Sequence, residues 1–368
     1  VGQALFMRCV LKIRHRHDVE EPWSNLFCSI REGLTEIGEQ PLSFIGSKRL
    51  IGVGLRHLGD TSRLCRHLIV IEMNPQRAMV IGVLDGVHVG HQALLAQAAI
   101  GSSRVLAASF FPHPKTVLGH PTPLPLTTWR SRGRELRKAG ARVIRLDPRS
   151  GLLDMSAEDF IMELFAAHQF DRLIVGEDFR FGQNRAGDVA LLQYLGVQCG
   201  FLTEVVDDVL VGDARVSSSR IRQALTAGEL SIANRLLGRP YEILGRVRPG
   251  QKRGRTMGTP TANLHPSTML PADGVYVTMS RLPGRIQVPS VSFVGTNPTF
   301  GHEARKCETH VLSYPKDVMP ADSGWPLEVA FLSRLRGAVR FDSSEALQVQ
   351  IRSDLNAARQ HHADRICG

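Results

Sequence analysis

Gly82-Val83-Leu84-Asp85-Gly86-Val87-His88-Val89-Gly90-His91 follows the apolar pair Val80-Ile81 and leads into Leu94, Leu95 and Ala98 at helical spacing. That order reads as a strand, a glycine-rich turn and a helix. Glycines at 82, 86 and 90 let the backbone approach a ligand closely, and the free N–H groups of a helix beginning near His91 suit a phosphate. His88 and His91 lie three residues apart, so both imidazoles can face one triphosphate and stabilise the charge that shifts onto a leaving pyrophosphate. For a lone histidine the better reading is that it caps the helix or packs. Two at HxGH spacing on a strand-turn-helix favour the ATP-phosphate loop of an α/β nucleotidyltransferase.

Outward from this loop the same grammar repeats. Strands are expected at Val105–Phe111, Ala141–Leu146 and Leu173–Val175, and helices at Arg130–Ala139 and Ala157–His168, an alternation that implies a parallel sheet wrapped by helices. After Leu237-Gly238-Arg239-Pro240 the pattern changes to short apolar runs broken by Gly and Pro, as in Gly274–Val277, Val288–Val291 and Leu327–Phe331. These predict a small β-barrel or sandwich, with the domain boundary near Pro240. Leu347, Ile351, Leu355 and Ala358, preceded by Asp342 and Glu345 at capping-box spacing, predict one closing amphipathic helix.

The chain has 368 residues, 43% of them apolar and 22% charged, which suits a globular protein of two domains or three small ones. A net charge of +10 is compatible with nucleic acid, an anionic membrane surface, phosphorylated small ligands or plain solubility. Acidic and basic residues are mixed along most of the chain, which favours solubility. Six scattered cysteines with no CxxC pair suggest reduced thiols in a cytoplasm. No uncharged apolar run approaches the roughly 18 residues of a membrane span.

Three further clusters carry candidate chemistry. In Arg215-Val216-Ser217-Ser218-Ser219-Arg220-Ile221-Arg222, hydroxyls precede a helix expected from about Ile221, and with Arg222 they are placed to grip phosphate oxygens; a serine cap with solvated arginines is the alternative. Val175–Gly182 ends a strand at the ligand-binding edge of the sheet, where Asp178 either contacts a nucleotide or serves a turn with Phe179 and Phe181 in the core. Gly254–Asn263 is a basic, glycine-spaced loop. If extended there, Thr261 and Asn263 share a face and offer a hydroxyl and an amide oxygen to a hard cation such as the Mg²⁺ of ATP; a solvated turn or a nucleic-acid contact fits the same residues.

Taken together and in this order, these motifs resemble the prokaryotic bifunctional riboflavin kinase/FAD synthetase (FMN adenylyltransferase) family over roughly Met79 to Arg359. Phe110-Phe111-Pro112-His113-Pro114, Leu237–Tyr241, Gly295–Phe300 and Phe331–Arg336 add to the match. The resemblance implies an α/β Rossmann-like nucleotidyltransferase domain over 73–238 and a six-stranded β-barrel kinase domain with its C-terminal helix over 239–362. It implies ATP, riboflavin and FMN as substrates and Mg²⁺ as cofactor. In the first domain Gly82, His88 and His91 would hold phosphates, with Asp178, Arg215, Ser218, Ser219 and Arg222 completing the site for transfer of AMP to FMN. In the second, Gly254, Thr261 and Asn263 match the Mg-ATP residues, and Glu308 falls where the family places the base for the ribityl 5′-hydroxyl.

Departures from the family pattern are Leu84 for the usual Phe, Ser219 for Thr, Ser313 for Asp, and Met319–Trp325 in place of a Leu-Tyr-Gly loop beside the flavin site. Residues 1–72 have no counterpart. They are read as a poorly ordered extension of unknown role or as upstream sequence from an over-early start, with Met73 or Met79 as the alternative first residue. No nucleic acid or membrane partner is expected, and self-association is left open. Two competing readings remain: an HxGH nucleotidyltransferase for a pantetheine or pyridine nucleotide with a non-catalytic barrel, and a basic nucleic-acid-binding protein.

Overall fold

The computed structural model describes residues 44–45, 48–49, 77–249, 259–296, 305–312 and 323–367. Within the first 72 residues these comprise only an antiparallel pair, β1 (Phe44–Ile45) and β2 (Lys48–Arg49). The reading of that segment as an extension otherwise lies outside the described residues.

The opening motif begins on β3 (Arg77–Gly82), whose Ala78, Met79, Val80 and Ile81 are all buried. A continuous apolar run of this kind suits a central strand covered on both faces. The chain then alternates through α1 (Val89–Ala99), β4 (Arg104–Phe110), the short α2 (Pro114–Val117), α3 (Trp129–Lys138), β5 (Ala141–Leu146), α4 (Ala157–His168), β6 (Arg172–Gly176), α5 (Val189–Cys199) and β7 (Leu202–Val206). The sheet order is β5-β4-β3-β6-β7, and β3 with β6, β4 with β5 and β6 with β7 run parallel. Strands β4 and β5 lie to one side of β3, and β6 and β7 to the other. The strand order therefore reverses between β3 and β6, and the crevice beyond their C-terminal ends is where such sheets receive ligands. Aromatic and aliphatic side chains of α4 and α5, among them Phe160, Ile161 and Leu192, cover one face; Leu95 and Leu136 of α1 and α3 cover the other.

A small hairpin, β8 (Leu210–Val211) with β9 (Ala214–Arg215), then precedes α6 (Ser218–Ala227) and α7 (Leu230–Leu237). The helix expected from Ile221 begins three residues earlier. Ser217 caps it, accepting the Arg220 N–H, so Ser218 and Ser219 occupy its first turn rather than preceding it.

Next comes a closed antiparallel barrel of β10 (Tyr241–Arg248), β11 (Ala262–Leu264), β12 (Gly274–Arg281), β13 (Gln287–Gly295), β14 (Lys306–Val311) and β15 (Pro326–Gly337), in the order β10-β11-β14-β13-β12-β15. The sequence left barrel and sandwich both open, and closure removes exposed edges. Tyr241, Tyr276 and Phe331 are fully buried. So are Thr278, Ser280, Ser290 and Ser292, whose hydroxyls satisfy one another at 2.8–2.9 Å. The final helix, α8 (Ser344–Cys367), packs Ile351, Leu355 and Ala358 against Val275, Val277 and Val291 on the outside of the barrel. Its cap is Ser343, which accepts the Ala346 N–H at 3.1 Å, one residue beyond the Asp342 of the expected capping box. Among the described residues no helix is long and apolar enough to cross a membrane.

Candidate active sites

The loop after β3 is a tight turn built on left-handed residues: Leu84, Gly86 and Val87 have φ of +51°, +84° and +43°. Only surrounding contacts hold such backbone in place. Here they do so through its carbonyls. The Val83 oxygen accepts from Ser109 Oγ at 2.8 Å and from Arg132 Nη1 at 2.8 Å. Leu84 accepts from the Val87 N–H at 3.3 Å, and Asp85 from Ser218 Oγ at 2.9 Å. Gly86 accepts from Arg239 Nη2 at 2.6 Å, and Val87 from both Gln92 Nε2 at 2.9 Å and Arg239 Nη1 at 3.0 Å. Five successive carbonyls are thus occupied by protein donors, which keeps their negative ends from repelling an anion.

Helix α1 starts at Val89, two residues before the expected position, because His88 is its cap. His88 Nδ1 accepts the His91 N–H at 3.4 Å, and the two rings stack with centroids 3.6 Å apart. An accepting Nδ1 leaves the proton of the neutral ring on Nε2. Burial pushes the His88 pKa down to about 4; Asp85 opposes the shift, and Arg215 and Arg239 reinforce it. His91 is also held well below its usual value, first by burial and then by His88, Arg132 and Arg239. Its Nδ1 is buried with no hydrogen-bond partner. Both rings are therefore uncharged at neutral pH, so any hydrogen bond they give is that of a neutral imidazole rather than of a cation.

The glycines have separate reasons. A Cβ at Gly90 would lie 3.2 Å from His88 Nδ1, so glycine leaves room for the capping ring. Gly86 needs its left-handed φ. Gly82 ends β3, and the nearest atoms a Cβ there would meet are those of Leu84, the side chain at 3.4 Å and the backbone N at 3.9 Å, so none of them requires a glycine.

Sequence reasoning assigned no role to Asp85, which proves to be the hub beneath the loop. Its carboxylate is buried and accepts from the backbone of Leu126 (2.9 Å) and Thr127 (3.1 Å), from Thr127 Oγ1 (2.8 Å), from Arg132 (3.0 Å) and from Arg222. Arg222, expected to grip phosphate, is thus paired with Asp85, and its Nε donates to the Leu124 carbonyl at 3.1 Å. Asp178 sits in the exposed turn after β6 and pairs with Arg215 at 2.8 Å, while Arg215 also reaches Asp208 at 2.9 Å. The hydrogen bond from Arg215 holds the Asp178 carboxyl below its usual range. Phe179 and Phe181 pack into the core as the turn reading expected. Ser219 is exposed at the start of α6. The fold therefore brings His88, His91, Ser218 and Arg222 to the end of β3, with Arg215 and Asp178 at the neighbouring end of β6.

On the barrel, register joins two residues that lie 45 apart in sequence. Asn263 of β11 is the direct cross-strand partner of Glu308 of β14. Neighbours Leu264 and Cys307 belong to the barrel's interior core, so Asn263 and Glu308 share the outer face. Lys306 Nζ lies 3.0 Å from Glu308 Oε1. Thr261 precedes β11 by one residue, and the Pro260 carbonyl beside it contacts His310 Nδ1 at 2.9 Å. Gly254, Asn297–Phe300, Ser313 and Met319–Asp322 lie outside the described residues.

Two family models match the chain: FAD synthetase over residues 70–220 and riboflavin kinase over 237–362. The bifunctional riboflavin kinase/FMN adenylyltransferase of Pseudomonas fluorescens is 36% identical over 290 residues, covering 76% of this chain and 91% of that protein. The chain belongs to the bifunctional riboflavin kinase/FMN adenylyltransferase family. The enzyme of that name from Escherichia coli K12 is 35% identical over 310 residues, 81% of this chain and 97% of its own length. The crystal structure of the macrolide-efflux protein from Streptococcus pneumoniae superposes with a TM-score of 0.69 at 30% identity, covering 78% of this chain and 95% of that one. The two activities of the family, riboflavin kinase and FMN adenylyltransferase, are those of this member's two halves.

Proposed function

We propose that residues 73–238 carry FMN adenylylation at the β3–β6 crevice and residues 239–362 carry riboflavin phosphorylation at the Asn263–Glu308 face. The observation that carries the first assignment is the inward commitment of the five loop carbonyls, which leaves the N-terminal turn of α1 and the Nε2–H of His88 as donors toward a phosphate. A phosphate oxygen of FMN attacks the α-phosphorus of ATP in line, the bond to the β-phosphate oxygen breaks, and pyrophosphate leaves. His88 and His91 donate to the charge that moves onto the leaving group, Gly82 gives the chain close approach, and Ser218, Ser219, Arg215, Arg222 and Asp178 hold the nucleotide from α6 and the β6 turn.

In the barrel half, Glu308 accepts the proton of the ribityl 5′-hydroxyl as that oxygen attacks the γ-phosphorus and ADP departs. Asn263 and Thr261 supply hard oxygen donors. Mg²⁺ arriving on ATP would need only one or two protein oxygens. Bound there, Mg²⁺ would neutralise charge on the phosphates. Gly254 would line the same nucleotide. The reading further assigns the enzyme to the cytoplasm and excludes nucleic acid as a partner.

The test is incubation with riboflavin, ATP and Mg²⁺, with FMN and FAD resolved by chromatography. FMN appearing first and FAD after it supports the assignment; pantetheine or pyridine-nucleotide adenylylation with no flavin turnover would replace it.

A further inference from the structure

Arg239 belongs to neither proposed set of substrate ligands, yet its guanidinium reaches into the adenylylation loop. It stands two residues after the end of α7, beyond the capping Gly238, and its guanidinium donates to two successive carbonyls, Gly86 and Val87, both on left-handed backbone. A third bond goes to Leu237 at 3.2 Å. On its other side Nε faces Glu135 Oε2 at 3.5 Å. Glu135 is bonded to Arg134, and Arg134 pairs with Glu242 of β10 and Glu328 of β15. One continuous ionic chain therefore runs from the barrel wall to the loop carbonyls.

We propose that Arg239 is a positioning residue for FMN adenylylation, turning the Gly86 and Val87 carbonyls away from the ATP phosphates and fixing the loop against the first strand of the barrel. The proposal rests on the reading of Gly82–His91 as the ATP-phosphate loop. The planar fork matches two adjacent carbonyl oxygens, which the point charge of a lysine does not. Released, those oxygens would swing toward the anion and displace His88, the next residue. Gln92 also holds Val87, so the loss falls most heavily on Gly86. The charge acts as well: Arg239 faces His88 together with Asp85 and Arg215, and faces His91 together with His88 and Arg132, and it favours the neutral form of both rings.

The full-length chain with Arg239→Lys and, separately, Arg239→Gln tests this. Each variant is expected to lose about tenfold to a hundredfold in kcat for FMN adenylylation, with riboflavin phosphorylation in the same preparation unchanged. Histidine side-chain NMR is expected to show the His88 and His91 titrations moved to higher pH in Arg239→Gln alone, because lysine keeps the charge. Full adenylylation in Arg239→Lys would overturn the fork argument. Wild-type adenylylation in both variants, or an equal loss of both activities in both, would overturn the proposal. His88→Ala in the same assay separates the two layers: retained FAD formation there would sink the phosphate-loop reading itself, whereas loss there with full activity in the Arg239 variants would sink only the role of Arg239.

Discussion

His88 accepts the His91 backbone N–H at 3.4 Å through Nδ1, and the two rings stack 3.6 Å apart. Helix capping and phosphate binding are therefore not competing roles for the pair. The cap fixes the tautomer, the tautomer leaves an Nε2–H free to donate, and the stack fixes the second ring against the first.

Gly90, one of the two residues between them, is predicted to be sensitive for that reason. In Gly90→Ala the new Cβ lies 3.2 Å from His88 Nδ1 and 3.3 Å from Cε1, so the ring must move by a few tenths of an ångström. Alanine gains about 1 kcal/mol of helix propensity, close to the value of the cap it disturbs, so unfolding measurements are expected to change little. FAD formation from FMN should fall about tenfold or more while riboflavin phosphorylation holds. Unaltered FAD formation would show that the ring position is unimportant.

The pH response follows from the direction of the shift. The His88 pKa is lowered to about 4 from an ordinary 6.5, chiefly by burial. Between those values the unfolded chain binds the proton that the fold refuses, so stability contributed by this group is complete above the upper value and lost as pH falls toward the lower one. Side-chain NMR is expected to show His88 neutral at about pH 6; a titration near the ordinary value would contradict the burial argument.

Asp85 and Asp178 both pair with arginine, and their burial sets very different consequences. Asp85 and Arg132 side chains are 4% and 3% exposed, whereas Asp178 and Arg215 are 66% and 43% exposed. Asp85→Asn leaves two guanidinium groups without their counter-charge and is expected to lose about 3–5 kcal/mol in urea unfolding. Asp178→Asn should lose less than about 1 kcal/mol. Equal effects would mean that Asp85 is not the hub the geometry makes it.

On the barrel, Asn263→Ala is expected to raise the KM for MgATP in riboflavin phosphorylation about tenfold, the loss of one bond to a charged partner. Its rate of FAD formation from supplied FMN should not change. A KM left at the wild-type value would remove Asn263 from the nucleotide site.

Much of this was legible in the sequence, and the rest was hidden for identifiable reasons. Ala141–Leu146 and Ala157–His168 fall where the periodicity puts them. Helix α5 was missed because Tyr194 and Val197, 61% and 81% exposed, blur its apolar stripe, and β7 because every one of its residues is only partly buried. The two histidines announce themselves by spacing. Asp85 lay inside the same quoted loop without a partner in view: Thr127 is 42 residues away and Arg222 is 137. Arg239, 152 residues from Val87, likewise gains its meaning only from the fold. The Asn263–Glu308 pair needed strand register, which neither motif contains.

The most direct test of two separate sites on one chain is a crossed pair of full-length variants given riboflavin or FMN with ATP and Mg²⁺. His88→Ala is predicted to convert riboflavin to FMN normally while FAD formation drops by about 10²–10³. Glu308→Gln is predicted to lose about 10²–10⁴ in riboflavin phosphorylation and still convert supplied FMN to FAD. Loss of both activities together in either variant, with the protein folded, would contradict the account.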